Sequence, residues 1–333
     1  MAATPGRSRD PTVTPLEGDD NEVRRGTAYA FAAYGIWGLF PLYFHALKPS
    51  GAFEIFAHRI LWTLAFCALV LLVRRDLRWV RSVVRRPRLA GGLTLAALLI
   101  AVNWVVYVLA VLTGRTYAAA LGYFLNPIVT VGLGVVVLRE RLRSLQWAAV
   151  VVGALGAVYL AVAGGEFPWI ALSLAFTFAF YGLVKKRIGA SLDAMHSLAA
   201  ETTVLAPIAV VVLFVLAGRD SLTFGSEGGV HTGLLVAAGV VTAIPLLFFA
   251  AAARRVPLVT IGLVQFITPV LQLLCGVLLL GEHVSGALWV GFGIVWVALV
   301  LLTVDSVRQA RVVRRSRRVA GRDPELATTE PCP

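Results

Sequence analysis

Residues 126–147 read NPIVTVGLGVVVLRERLRSLQW, and residues 268–289 read TPVLQLLCGVLLLGEHVSGALW. Laid side by side without a gap, they match Pro127 with Pro269, Gly134 with Gly276, Glu140 with Glu282 and Trp147 with Trp289. All four pairs share one displacement, so the pattern Pro-x6-Gly-x5-Glu-x6-Trp occurs twice in a chain of 333 residues. Self-similarity at a fixed displacement marks a duplicated structural unit.

Outward from these stretches the chain resolves into ten apolar runs, near 26–47, 53–73, 89–112, 117–138, 144–163, 168–184, 195–217, 232–253, 257–280 and 286–304. Charged or Gly/Pro clusters separate them. A helix crossing the hydrocarbon core needs about 20 residues, so each run predicts one span. Five runs per copy is an odd number, so the copies enter the bilayer from opposite sides. That is the inverted-repeat construction of many secondary transporters. The expected organisation is an N-terminal tail over 1–25, a first five-helix repeat over 26–163, a second over 168–304, and a basic tail over 305–333. The short connection at 164–167 predicts that the fifth and sixth helices are antiparallel neighbours.

Composition agrees with an all-α polytopic membrane protein. Hydrophobic residues make up 59% and charged residues 14%, against roughly 45–50% and about 25% in soluble domains. A soluble cytosolic enzyme is excluded on that ground. The net charge of +12 is placed with regularity. Arg24 and Arg25 precede the first run. Arg74, Arg75, Arg78, Arg81, Arg85, Arg86 and Arg88 fill the second connection, and Arg139, Arg141 and Arg143 the fourth. Lys185, Lys186 and Arg187 fill the sixth, Arg254 and Arg255 the eighth, and seven arginines between Arg308 and Arg322 the tail. The alternate connections hold only Lys48, Arg115 and Arg219. Cations collect on the cytoplasmic side, which predicts both termini in the cytoplasm. The Arg tracts follow membrane helices, so lipid headgroups are expected partners and nucleic acid is not. The polar stretch over 1–25 lacks the short apolar core of a signal peptide. Cys67, Cys275 and Cys332 have no disulfide or zinc spacing, and neither a metal nor a cofactor is expected.

Polar groups inside apolar runs are costly and usually functional. The first run offers Tyr34 and Trp37, with interfacial or packing roles as the plain alternative. The second opens with Glu54, His58 and Arg59. Glu54 lies near the outer boundary, where solvation alone accounts for it; Arg59 either snorkels outward or faces a cavity with His58. Glu201 follows Arg59 at the same displacement as the proline motif. The two either pair or line opposite halves of a cavity, and Glu201 is the candidate proton carrier. Asn103 and Tyr107 share a helix face in the third run. Tyr123, Asn126 and Pro127 follow in the fourth, Thr242 and Pro245 in the eighth, and Gln265, Thr268, Pro269 and Gln272 in the ninth. Polar residues beside mid-helix prolines, here Pro127, Pro207, Pro245 and Pro269, point to a binding site; interhelical hydrogen bonding is the alternative reading. Glu140 and Glu282 read as capping or ion-pairing groups. Gly153, Ala157, Gly291 and Gly293 read as close-approach positions. No phosphate loop, GxSxG, HExxH or CxxC motif occurs.

These residues resemble the RarD branch of the drug/metabolite transporter superfamily, whose repeat unit is the EamA domain. The matching stretches are Glu54-x3-His58-Arg59, Asn103-Trp104-x2-Tyr107-x2-Ala110-Val111, Leu121-Gly122-Tyr123-Phe124-Leu125-Asn126-Pro127, Glu140-Arg141-Leu142-x3-Gln146-Trp147, Phe180-Tyr181-Gly182-Leu183, Thr242-x2-Pro245-Leu246-Leu247-Phe248 and Gln265-Phe266-Ile267-x-Pro269. They cover about residues 24–305. Ala120 and Phe266 depart from the branch, each removing a hydroxyl. The resemblance implies a ten-helix inner-membrane carrier. The expected substrate pathway comprises Tyr34, Trp37, His58, Arg59, Asn103, Tyr107, Tyr123, Asn126, Tyr181, Thr242, Gln265 and Thr268. A small molecule with an aromatic or amphiphilic body crosses by alternating access as the two repeats rock against each other. Protons, another coupling ion or exchange drive it. An intramembrane enzyme such as a lipid-modifying transferase, and a non-transporting sensor subunit, are the rival readings.

Overall fold

The computed structural model describes residues 17–320, apart from 77, 140–141, 164–166, 189–191, 254, 257–260 and 262–263. The described helices are α1 (Glu17–Gly38), α2 (Phe40–Ala46), α3 (Ala52–Val73), α4 (Arg78–Val84), α5 (Pro87–Leu112), α6 (Thr116–Leu138), α7 (Ser144–Ala163), α8 (Trp169–Ile188), α9 (Ala194–Ala217), α10 (Gly228–Ala253), α11 (Ile267–Leu274, continued by a π-turn over Cys275–Leu279) and α12 (Gly286–Ala320). No strand occurs among the described residues. Among the described residues, eight helices are long and apolar enough to cross a membrane: α3, α5, α6, α7, α8, α9, α10 and α12. The protein is a multi-pass helical membrane protein.

The first and ninth apolar runs behave differently from the other eight. The first breaks at Leu39. Pro41 in the first turn of α2 has no N–H to give to the Trp37 carbonyl four residues back, which accepts from Gln272 instead, and the run becomes α1 followed by α2. The described part of the ninth run, Ile267–Leu279, is a shorter apolar helix. Two boundaries also move. Helix α1 already begins at Glu17 and α12 runs on to Ala320, so 17–25 and 305–320 are helical rather than loose tails. Pro269 falls in the first turn of α11, where its missing donor breaks no helical bond, and not in mid-helix as expected.

Packing closes eight helices into a ring, in the order α1, α10, α3, α9, α5, α8, α6, α11 and back to α1. Each neighbour in this ring comes from the opposite half of the sequence. The halves therefore interleave around the ring. Helices α7 and α8 follow one another in the chain but pack on different partners, α7 on α12 and α8 on α6 and α5. The expectation of paired neighbours there is corrected: the connection is short, but both helices spend their apolar faces elsewhere.

Helices α7 and α12 form a pair outside the ring, against α6. A Cβ on Gly291 would collide with the Leu160 side chain, and one on Gly153 would meet Ile128 at 2.6 Å. Both glycines therefore permit close helix approach, as small residues do in membranes. Gly293 faces open space instead. The outer stripe of α7, Trp147, Val151, Leu155, Val158 and Val162, is exposed at helical spacing, as a lipid-facing surface should be.

Side chains tie helix ends together at both ends of the ring. At one end His196 lies 3.0 Å from Asp76, Arg255 donates to Glu22 at 2.9 Å, and Arg143 pairs with Asp305. That hydrogen bond to Asp305 holds the Arg143 guanidinium above its ordinary range. At the other end Glu54 accepts the backbone N–H groups of Thr223 and Phe224 at 2.8 and 3.0 Å. Glu282 likewise accepts those of Thr116 and Tyr117 at 2.8 and 2.9 Å. Glu282 thus caps a helix, as read from the sequence, but the helix is α6 of the other half. Glu54 is 1% exposed, so the solvated reading of it is wrong. Glu140 lies outside the described residues.

Candidate functional site

Arg59 sits in the second turn of α3 and is buried. Its Nε donates to Thr242 Oγ1 of α10 at 2.8 Å. Its guanidinium carbon lies 3.9 Å from the ring centre of Trp104 on α5, and 5.4 and 5.6 Å from those of Phe44 and Phe40 on α2. Phe40 and Phe44 lie in α2, just past the break at Leu39, and pack against the group. Snorkelling to a headgroup is ruled out by that burial. Each cation–π contact of a desolvated arginine is worth up to about 2 kcal/mol.

Beside Arg59 stands a set of tyrosines. Tyr107 packs against Phe44 and Tyr123 with ring centres 5.9 and 5.8 Å apart. Its hydroxyl is buried without a hydrogen-bond partner. Tyr123 donates to Asn103 Oδ1 at 3.1 Å. Asn103 donates to the Leu174 carbonyl at 3.1 Å and to Thr177 Oγ1 at 3.0 Å. Asn103 is therefore spent on joining α5, α6 and α8. Tyr43 donates to the Leu234 carbonyl at 2.6 Å.

A second polar group lies around Glu201 in α9. Its carboxylate accepts from Lys185 Nζ at 2.8 Å, Ser197 Oγ at 3.0 Å and Tyr181 Oη at 3.2 Å. Lys185 also contacts Ser197. Arg59 and Glu201, matched by the repeat displacement, do not pair: each has its own partners.

The remaining candidates make other contacts. Tyr34 and Trp37 pack on each other and on Phe249, ring centres 5.4 to 6.0 Å apart. Their backbone carbonyls accept from Thr268 at 2.7 Å and Gln272 at 3.2 Å, which ties α1 to α11. His58 turns away from its neighbour Arg59, since adjacent helical residues point about 100° apart. It stacks on Phe224 at 4.6 Å, and it lines a pocket of about 430 Å³ with Leu61, Trp62, Ala65, Leu213, Leu222 and Phe224. Its Nε2 is buried and unpartnered. Asn126 is half-buried and accepts from Thr130 of its own helix at 3.5 Å. Gln265 is half-buried just before α11. Pro127 and Pro245 lie inside α6 and α10. Phe40, Phe44 and Lys185 were absent from the sequence candidates. Only the pairing of Pro41 with flanking aromatics hinted at the first two.

A buried polar interior inside a multi-pass helical ring is the anatomy of a membrane transporter. The model of the EamA-like transporter family matches this chain twice, over residues 24–162 and 168–304. The protein RarD of Streptomyces exfoliatus is 48% identical over 309 residues, covering 93% of this chain and 97% of its own length. An uncharacterized transporter of Pseudomonas aeruginosa is 40% identical over 289 residues, covering 87% and 96%. A solved crystal structure, 20% identical, superposes with a TM-score of 0.56 over 84% of this chain and 98% of its own. The chain belongs to the EamA-like transporter family, in its RarD branch.

Proposed function

We propose that this protein is a ten-span secondary carrier of the cytoplasmic membrane, with both termini in the cytoplasm. Two five-helix repeats lie in opposite senses. It moves a small metabolite or drug-like molecule by alternating access, driven by an ion gradient or by exchange.

The observation that carries the topology is the pairing of helix ends. His196–Asp76, Arg255–Glu22 and Arg143–Asp305 each join ends that the arginine pattern assigns to the cytoplasm. Glu54–Thr223 and Glu282–Thr116 each join ends assigned to the outside. A miscounted span would force one of these contacts across a hydrocarbon core about 30 Å thick. Helix starts support the duplication: α3 and α9 open at Ala52 and Ala194, and α7 and α12 at Ser144 and Gly286, each pair at the displacement of the proline motif. The contact of α1 with α10 is mirrored by that of α8 with α5.

The substrate pathway runs past Arg59, Tyr107 and Tyr123, and Glu201 couples transport to protons. Because the ring interleaves the repeats, the moving units draw helices from both. Proteoliposomes offered a mixed metabolite panel, with and without a pH gradient and read by mass spectrometry, should accumulate a defined subset. Single cysteines at Tyr34, Asn126 and Gln265 should become accessible from both faces and respond to that subset. Labelling from one face only, with no uptake, would favour a sensor.

A further inference from the structure

We propose that Arg59 is the docking point for an oxyanion of the transported molecule, a carboxylate or phosphate borne on an apolar or aromatic body. This rests on the carrier reading above and names its substrate class.

A cation inside a membrane bundle ordinarily has an anionic partner. Among the described residues no carboxylate forms an ion pair with Arg59. The acidic group on its own helix and the one at the repeat-matched position are engaged elsewhere: Glu54 on the backbone of Thr223 and Phe224, and Glu201 on Lys185, Ser197 and Tyr181. Cation–π contact with Trp104, Phe40 and Phe44 offsets part of the desolvation cost of a buried charge. It supplies no counter-charge.

The donors are arranged for a ligand. Nε is fixed by Thr242, which orients the planar fork. Its other N–H groups have no acceptor among the described residues. Such a fork matches carboxylate and phosphate in a bidentate way that lysine does not. A second, independent donor is at hand. The Tyr107 hydroxyl is buried and has no partner, and its ring packs on Phe44, the ring that also faces Arg59. Trp104, Phe40 and Phe44 give the walls that an aromatic or aliphatic body would contact.

The test uses matched pairs that differ in charge alone: phenylacetate with phenylacetamide, indole-3-acetate with its amide, and glycerol 3-phosphate with glycerol. Thermal shift of the purified full-length protein reports binding, and flux in proteoliposomes reports transport. The anion of at least one pair should bind better than its neutral mate by roughly tenfold to a hundredfold, the factor of one charge-assisted hydrogen bond. Arg59→Gln should abolish that preference and Arg59→Lys restore only part. Tyr107→Phe, which breaks no protein hydrogen bond, should fold normally and weaken anion binding several-fold. Equal or better binding of the neutral members, or an anion preference that survives Arg59→Gln, overturns the proposal. Flux of neutral members without anion preference does so while leaving the carrier reading intact. Anion binding without any flux sinks the carrier reading alone, and no binding with no flux counts against both.

Discussion

Glu282, at the end of the α11 segment, holds the first helical N–H of Thr116, far earlier in the chain, at 2.8 Å. The same carboxylate takes the N–H of Tyr117, so one side chain from the second half satisfies two of the donors that every helix start leaves open.

Removing that carboxylate should therefore loosen the start of α6 rather than α11, the helix that precedes it in the chain. Glu282→Ala leaves buried donors unpaired at about 1–3 kcal/mol each. Glu282→Gln keeps one acceptor oxygen and should cost about half as much. Thermal unfolding in detergent, followed by tryptophan fluorescence, measures the difference. A fully stable Glu282→Ala protein would refute the capping role.

Gly239 makes a sharper steric prediction. A Cβ there would collide with the Trp62 carbonyl group, in the backbone of α3. Gly239→Ala should cost about 1–3 kcal/mol through overpacking. Gly182→Ala, whose Cβ would enter open space, should be neutral or gain up to about 1 kcal/mol from helix propensity. The two variants, unfolded side by side, should differ in sign or nearly so.

Glu201→Gln should abolish pH-driven uptake while sparing substrate exchange. Lys185 then loses its carboxylate partner, so Lys185→Met combined with Glu201→Gln should be more stable than Glu201→Gln alone. Counterflow assays at two external pH values separate the effects. Unchanged pH dependence in Glu201→Gln would remove Glu201 from coupling.

Reporter fusions test the threading. Truncation after Arg75 or Arg143 should place the reporter in the cytoplasm, and after Gly114 or Ser285 outside. A shared compartment for the Arg143 and Ser285 fusions would end the inverted-repeat reading.

The eight long spans were legible because each is an apolar run bounded by charge, and lipid demands both. The duplication was legible because Pro127, Gly134, Glu140 and Trp147 recur at one displacement. The interior was less so. Arg59 and Glu201 stand at matching positions, which invited a pair. Yet ring order brings Thr242 and Trp104 to one and Lys185 to the other, and hydropathy carries no information about ring order. Phe40 and Phe44 looked like ordinary apolar members of the first span, and nothing in the sequence showed that they face Arg59. His58 and Arg59 look equivalent in the motif but point to different neighbours.

The alternation of halves around the ring has a consequence for biogenesis. When the ring helices of the first half leave the translocon, neither of the helices that will flank each of them around the ring has yet been synthesised. Only contacts within the first half, such as those of Arg59 with Phe40, Phe44 and Trp104, can form before α8 to α11 arrive and slot between these helices one by one. The polypeptide is thus assembled less like two modules joined by a linker than like two combs meshed tooth into gap.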